Sequence, residues 1–575
     1  MLADPERAAV LLPVVLLAAL FLRWAVLPAR HVPRFRIATM RLRLRLRLHP
    51  GRGFATLWHL WSAWGRFASF RESSRCRPGL TFWQRAWQTS AHSLYFGRAH
   101  LFHGVRAAIQ ECWTVVGRSR SGKSGWLAKV IIRWHGALVS ASTKPDQYTR
   151  TSGLRARRGR PVYRFNPERV GGPGMGSTFW LDPIAGCEVP SVAMRHGTAF
   201  TDAVRTKGTE DGNFWSEQAS VQLPALFCAA ALGDLDLRAP HRWVLSGDTR
   251  EAERILRANG RPEWAHSIAQ MRGANDKTGA TVRMVLNAAL KFMQDPALAE
   301  CVLPGPGEAF DIGAFLAAQG TLYMIADPRN DVSPVAPVFS FIANEIHWTA
   351  SQLAARMRGE RIDPPLLMAL DEVTKLCPGL AVPSLVSDSG GRGITMVIAC
   401  QGLAQIEERW GKPAMRMLLD TSAQAYLSGV QDPDTLDMAA RLCDTATYHA
   451  RGRKGETTDV PAATPGMIRR IPKRRALLLR GDCAPVIAHL PMAWHDWAYR
   501  WARIRRRLVA QVPPAPPVVR LPATARRSAV WGPPASKPAW LAPPPVREAL
   551  PAGVTADRHQ GAPEQPAPAY PWDQR

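Results

Sequence analysis

At 575 residues the chain exceeds the size at which a single hydrophobic core usually stops growing, so at least two folded modules with tails are expected. A composition of 46% hydrophobic and 21% charged residues excludes global disorder. The nine scattered cysteines form no C-x-x-C pair, leave no disulfide framework or zinc site readable, and suit small buried hydrophobes in a reducing compartment. A formal net charge of +28, from 74 Lys and Arg against 46 Asp and Glu, favours a polyanionic partner such as nucleic acid or acidic lipid, although an arginine-rich compositional bias accounts for the same excess.

From Ala8 to Leu27 the sequence is apolar except for Arg23, about the length that a spanning helix needs. Asp4, Glu6 and Arg7 precede it, and Arg30, Arg34, Arg36, Arg41, Arg43, Arg45 and Arg47 follow. The positive-inside bias therefore predicts a single-pass anchor in the inner or plasma membrane with the bulk of the chain cytoplasmic. A cleaved signal peptide is the competing reading, against which stand the missing basic n-region and the length of the apolar run. Met40 to Leu48, MRLRLRLRL, alternates with period two, which suits an extended segment on anionic lipid or a solvated charge run. Between Phe54 and Phe70, Leu57, Leu60, Trp61 and Trp64 recur at three- and four-residue spacing and predict a helix, either interfacial or packed in a core.

From about Glu111 to Pro491 apolar β-branched runs alternate with helical stretches, the pattern of a parallel α/β sheet. Strands are expected at Cys112 to Val116, Gly136 to Ser140, Thr321 to Ala326, Leu366 to Leu370, Ile394 to Ala399, Ala423 to Leu427 and Ala476 to Leu479. Arg155, Arg157, Arg158 and Arg160, in RARRGR, read as a solvated loop, with phosphate contact as the sharper alternative. From roughly Trp215 to Met293 the pattern is helical, which predicts an all-α insertion. Proline dominates from Gln511 to Arg575, a disordered or polyproline segment that either docks a partner or only solubilises.

Gly117-Arg118-Ser119-Arg120-Ser121-Gly122-Lys123-Ser124 matches G-x-x-x-x-G-K-[ST] in full, after strand-like WTVV and before helix-like GWLAKVII. Its glycines let successive backbone N–H groups face phosphate oxygens, Lys123 reaches the β- and γ-phosphates of ATP, and the Ser124 hydroxyl ligates Mg²⁺. Such a site also needs a carboxylate at the end of a second buried strand and another acid beside water. PLLMALDE supplies both: Asp371 for Mg²⁺, Glu372 for the attacking water. Helix capping is the bland alternative for that acid pair. Gln401, just after the strand-like ITMVIAC, is placed to sense the γ-phosphate, and Arg392, just before it, is either an arginine finger for a neighbouring subunit or a solvated loop residue.

The order of phosphate loop, acid pair and Gln-bearing strand resembles the coupling ATPases of type IV secretion and conjugation, the TraG/TraD-like relatives of RecA-like DNA pumps. STKPD at Ser142 to Asp146, VYRFNPERVGGPG from Val162, FWSEQA from Phe214, TGATV from Thr278, LDEVTKL, GRGI and QGLAQIEERWG carry the resemblance, over roughly Val115 to His489. It implies a RecA-like P-loop NTPase with an inserted all-α domain, an N-terminal membrane anchor, a homo-hexameric assembly, and ATP-driven transfer of DNA, single-stranded with attached relaxase, to a type IV secretion channel. It also implies ATP binding by 117–124, hydrolysis by Asp371 and Glu372, and sensing by Gln401. Two departures stand out: the family usually has two spans where one is readable here, and Arg392 is not at the spacing of the family's catalytic arginine. The expected division is an anchor at 1–30, a basic juxtamembrane region at 31–110, the NTPase domain at 111–210 and 296–510, the helical insertion at 211–295 and the Pro-rich tail at 511–575. The other readings are a double-stranded DNA translocase of the partition type and a non-catalytic nucleotide-binding membrane scaffold. Four intact residues, Lys123, Ser124, Asp371 and Glu372, argue against the scaffold.

Overall fold

Apolar β-branched runs bounded by loops form strands here, and their order in space is what builds the site. In chain order the strands are β1 Ser93–Arg98, β2 Gly104–Ala108, β3 Trp113–Val116, β4 Leu138–Ser142, β5 Val162–Phe165, β6 Thr321–Ile325, β7 Leu366–Asp371, β8 Ile394–Cys400, β9 Ala423–Leu427, β10 Thr445–His449, β11 Thr457–Pro461, β12 Arg475–Arg480 and β13 Cys483–His489. The structure, a computed structural model, describes residues 33–204, 210–273, 277–305, 309–327, 333–443, 445–449, 457–505 and 507–510. The apolar run 8–27 and the Pro-rich tail lie outside the described residues, among which no helix is long and apolar enough to cross a membrane.

Eleven strands make one sheet in the order β2-β1-β13-β12-β9-β3-β8-β7-β4-β6-β5, and β10 with β11 forms a separate hairpin. The seven from β9 to β5 run parallel. The remaining four join antiparallel at one edge. Strands β3, β4 and β6 to β9 are buried at every position, as parallel strands covered on both faces must be. The strand expected at Gly136 starts at Leu138 instead. Gly136 is needed in the approach, because a Cβ there would lie 1.8 Å from the Pro365 carbonyl oxygen.

Between β5 and β6 the described chain forms helices, chiefly Pro190–Val204, Glu210–Leu232, Arg238–Ser246, Arg250–Ala258, Pro262–Gly273 and Lys277–Leu290. The first two approach so closely that a Cβ on Gly197 would meet Pro224 at 2.6 Å. Buried Glu345, on helix Ala336–Ala355 beside the sheet, binds Arg195 at 2.5 Å and His196 at 3.3 Å, tying the helical layer to the sheet layer.

Four local expectations are corrected. MRLRLRLRL is not extended: helix Pro33–Arg45 runs into it, because Ile37, Met40 and Leu44 sit at helical spacing and are all buried. Leu and Arg are also good helix formers. The stretch 54–70 is not one helix but two, Leu57–Ser62 and Arg66–Cys76, broken at Gly65, where a Cβ would stand 2.7 Å from the Leu60 carbonyl oxygen. Leu60 and Trp64 are fully buried, as packing in a core requires, while Trp58 and Trp61 are exposed. RARRGR is not simply solvated: Arg155 is fully buried and donates to Thr321 Oγ1, Trp134 O and Gly136 O, and Arg158 and Arg160 also donate to Trp134 O. Finally, the sheet begins before residue 111, since β1 and β2 belong to it.

Candidate nucleotide-binding site

β3 ends at Val116, and the chain turns through Gly117 to Gly122 into helix Lys123–Arg133. The turn requires its glycines. A Cβ at 117 would fall 2.8 Å from both Leu427 Cβ and Ser121 Oγ, and Gly122 holds φ at 110°. Arg118, Ser119 and Arg120 project to solvent on the outside of the loop, with Arg120 itself at φ 65°, while Ser121 and Lys123 are buried. The first N–H groups of a helix have no intrahelical acceptor, so this turn presents donors and a positive dipole end to an anion.

Register brings the other elements to the same edge. Val116 of β3 pairs with Cys400 of β8, and Ala399 of β8 pairs with Asp371 of β7, so the C-terminal ends of three adjacent strands stand side by side. The helix after β3 leads to β4, with β8 and β7 lying between them in the sheet, which leaves the crevice at which open α/β sheets bind ligands. Ser124 Oγ donates to Asp371 Oδ2 at 3.1 Å. Lys123 Nζ donates to Glu372 Oε1 at 3.3 Å and to the Cys400 carbonyl at 3.0 Å. Gln401 Nε2 donates to the same Glu372 oxygen at 3.1 Å. Five sequence-predicted residues thus form one hydrogen-bonded cluster. Glu372 holds φ 56°, a left-handed conformation worth about 1–3 kcal/mol of strain, which turns its carboxylate away from the strand path and toward Lys123.

Burial pushes the Asp371 carboxyl above its ordinary range; Lys123 opposes this and the neighbouring Glu372 charge reinforces it. Burial likewise pushes the Cys400 thiol up to about 12, which keeps it a neutral wall of the site. Three buried oxygens in the cluster, Ser121 Oγ, Asp371 Oδ1 and Glu372 Oε2, have no hydrogen-bond partner among the described residues. Unsatisfied buried polar atoms are rare and costly, and here they gather where phosphate, metal and water would supply partners. The donor set fits Mg²⁺, which needs only one or two protein oxygens beside phosphate and water ligands: Ser124 and Asp371 provide them. Among the described residues no group of three or more His, Cys, Asp or Glu could hold a metal on its own.

Arg392 is not brought to this cluster. It precedes β8 at the opposite edge of the sheet, where it is half-exposed and ion-paired with Asp388. From Ile394, two residues after Arg392, to Cys400 there are six steps of extended strand, about 20 Å.

Sequence reasoning missed several neighbours. Gln147 Nε2 donates to the Ser124 carbonyl at 3.1 Å, bracing the first helical turn; its place just after STKPD was the available signal. Met492 and Trp494 flank the same turn, since a Cβ on Gly125 would meet Met492 Sδ and Trp494 Cη2 at 2.8 Å. Fully buried Asp496 accepts from Lys129, and from Arg133 at 2.7 Å, fastening the phosphate-loop helix to the C-terminal helix Trp497–Ile504. No motif pointed to these three.

Residues 365–479 match the family model described as the TraM recognition site of TraD and TraG, a segment that contains Asp371, Glu372 and Gln401. No curated protein matches the chain at a significant level. Among solved structures, the plasmid coupling protein TrwB with the non-hydrolysable GTP analogue GDPNP is 14% identical with a TM-score of 0.52, over 66% of this chain and 86% of that one. TrwB with the ATP analogue ADPNP is 14% identical with a TM-score of 0.51, over 67% and 86%. The unbound bacterial conjugative coupling protein TrwBdeltaN70 is 14% identical with a TM-score of 0.51, over 68% and 87%. At this identity the likeness is one of fold, the mixed α/β fold with a large parallel sheet that TrwB also has, and residues 365–479 resemble the corresponding segment of TraD and TraG.

Proposed function

Taking that TraG/TraD-like family resemblance and coupling-protein fold as the premise, we propose that this chain is a membrane-anchored coupling ATPase, cytoplasmic in bulk and hexameric at work. It delivers DNA, single-stranded and carrying its relaxase, to a type IV secretion channel. The observation that carries the reading is the convergence of Lys123, Ser124, Asp371, Glu372 and Gln401 around three buried oxygens that lack partners. The name of the matched segment supports a relaxosome protein as a partner of residues 365–479.

The resting geometry suggests how the residues act. Mg²⁺, held by Ser124 and Asp371, would neutralise charge on the phosphates. Lys123 now rests on Glu372 and the Cys400 carbonyl; drawn onto phosphate, it frees Glu372 to orient water and accept its proton. Gln401 shares that Glu372 oxygen, so the change passes to the loop leading into helix Leu403–Trp410. A non-catalytic scaffold has no use for such a shared carboxylate.

The test is ATP hydrolysis by the full chain in lipid nanodiscs without DNA, with single strands and with duplex. Turnover stimulated most by single strands, with strong salt dependence, supports transfer. Greater stimulation by duplex indicates a partition-type translocase, and tight ATP binding without turnover indicates a scaffold.

A further inference from the structure

Exposed apolar side chains on a folded surface are ordinarily scattered singly. One set in this chain is contiguous instead, and it shares no residue with the nucleotide site. On helix Leu57–Ser62, Trp58 packs on Trp61 at 5.2 Å, and Trp61 stacks on Phe67 of helix Arg66–Cys76 at 4.5 Å with the ring planes 6° apart. Phe70 follows Phe67 one helical turn on and meets Phe82 edge to face at 5.5 Å. Phe82 opens helix Phe82–Trp87 and meets Trp83 in the same way at 5.5 Å. Trp58, Trp61, Phe67, Phe82 and Trp83 are exposed by 67%, 45%, 47%, 56% and 69%. At about 200 Å² per ring, those fractions leave on the order of 500 Å² of aromatic surface uncovered, a size at which exposed patches serve binding. The row is held in place from beneath: Thr56 and Thr81 close capping boxes on the two short helices, and Leu60, Trp64 and Cys76 lie in the core.

Tryptophan and phenylalanine serve protein interfaces as well as bilayer interfaces, so ring chemistry alone does not name the occupant. The place of the row in the chain does. The apolar run ends at Leu27 and helix Pro33–Arg45 begins six residues later, a stretch that spans at most about 22 Å when fully extended. Arg36, in the first turn of that helix, and Trp58, the first ring of the row, line the same cavity. A bilayer that holds the apolar run therefore lies within reach of the row, and no further partner is needed to bring it there. At the head-group level the rings gain apolar burial while each indole N–H keeps its water.

We propose that the aromatic row from Trp58 to Trp83 is a second membrane contact made by the folded body, seated among the head groups and upper acyl chains of the bilayer that holds the apolar run. The run tethers and the row orients: together they set the antiparallel side of the sheet, on which these helices pack, against the membrane. The inference rests on the membrane-anchored reading of residues 8–27 and not on ATP hydrolysis.

Photo-crosslinking of the full chain in nanodiscs of phosphatidylglycerol and phosphatidylcholine tests it, with p-benzoylphenylalanine replacing Trp61, Phe67 or Trp83 one at a time and adducts identified by mass spectrometry. Leu20, inside the apolar run, and Met284, exposed by 70% on helix Lys277–Leu290, carry the same probe as references. The expected result is a lipid adduct at Leu20 and at all three positions of the row, and none at Met284. The Trp58→Ser, Trp83→Ser double variant, altered at the two most exposed rings, should lose most of the lipid adduct at Phe67 with nucleotide affinity unchanged. A lipid adduct at Leu20 with only water or a second copy of the chain captured along the row overturns this inference and leaves the anchor standing. No lipid at Leu20 or along the row overturns both. An adduct at Phe67 undiminished in the double variant would mean that the tether alone brings lipid there, and would also overturn the proposal.

Discussion

The two parts of the sheet solve different problems. In the parallel part, strands buried on both faces end at one edge and deliver Lys123, Asp371, Glu372 and Gln401 to a cluster whose oxygens are left partly unsatisfied. In the antiparallel part, β12, β13, β1 and β2 carry helices Leu57–Ser62 and Arg66–Cys76 over an apolar core, and the unpartnered buried atoms there, Arg106 Nε and His92 Nδ1, are scattered rather than gathered at one site. Trp64 lies fully buried there with its indole N–H on the Ala484 carbonyl at 3.1 Å. The first part stores unmet polar groups for a ligand, and the second completes a core. Proteins tolerate unmet buried polar groups where function needs them and supply the stability elsewhere.

The comparison breaks most visibly at Lys123. Lys123→Ala removes the charge that answers phosphate and is expected to lower turnover by about 10³-fold or more, read as phosphate release, with little change in unfolding. A turnover loss of only a few fold would place the chemistry elsewhere. Trp64→Ala should do the reverse: about 3–5 kcal/mol of stability lost in denaturant melts, with nucleotide affinity kept by the folded fraction. If that melt barely moves, the antiparallel edge is not part of the same core.

Asp371→Asn sharpens the contrast within a single residue. Its folded-state pKa lies above its unfolded value, so the native state holds the proton more tightly and the carboxylate subtracts stability as pH rises from the unfolded value through the folded one. Without metal at pH 7, Asp371→Asn should therefore raise the melting temperature by about 2–4 °C, while Mg²⁺-dependent turnover is lost. A drop in melting temperature would mean that the carboxylate is structural. The smallest effect is expected at Arg392→Ala, whose partly exposed ion pair with Asp388 is worth less than about 1 kcal/mol. A turnover loss above about tenfold would instead restore Arg392 as a residue acting across subunits.

The same division explains what the sequence disclosed. Buried parallel strands are unbroken apolar runs, so TLYMI, LLMALD, ITMVIAC and AQAYL announced themselves, and the phosphate loop has a fixed spelling because its backbone must bend around phosphate. The antiparallel strands SLYFGR, GVRAA and CAPVIAH are short, interrupted by Gly, Arg or Pro, and β1 carries a register shift between Tyr95 and Gly97, so no period stood out. β5, VYRF, was hidden by Arg164, whose charge reads as surface although its guanidinium is buried against the Gly176 and Gly174 carbonyls. MRLRLRLRL misled because alternation is a property of the letters, while burial followed the longer spacing of Ile37, Met40 and Leu44. Within the site, the residues that gather by hydrogen bonds, Lys123, Ser124, Asp371, Glu372 and Gln401, were legible. Met492, Trp494 and Asp496 were not, because they reach the phosphate-loop helix through tertiary packing from more than 350 positions away.

The most direct test of the central claim is a paired measurement on Glu372→Gln: equilibrium binding of Mg²⁺–ATP and single-turnover hydrolysis, beside the unaltered chain. The geometry predicts binding within about threefold of the unaltered chain and hydrolysis slower by about 10²-fold or more, since the amide still accepts from Lys123 but takes no proton from water. Hydrolysis at the unaltered rate, or loss of nucleotide binding in folded protein, would contradict it.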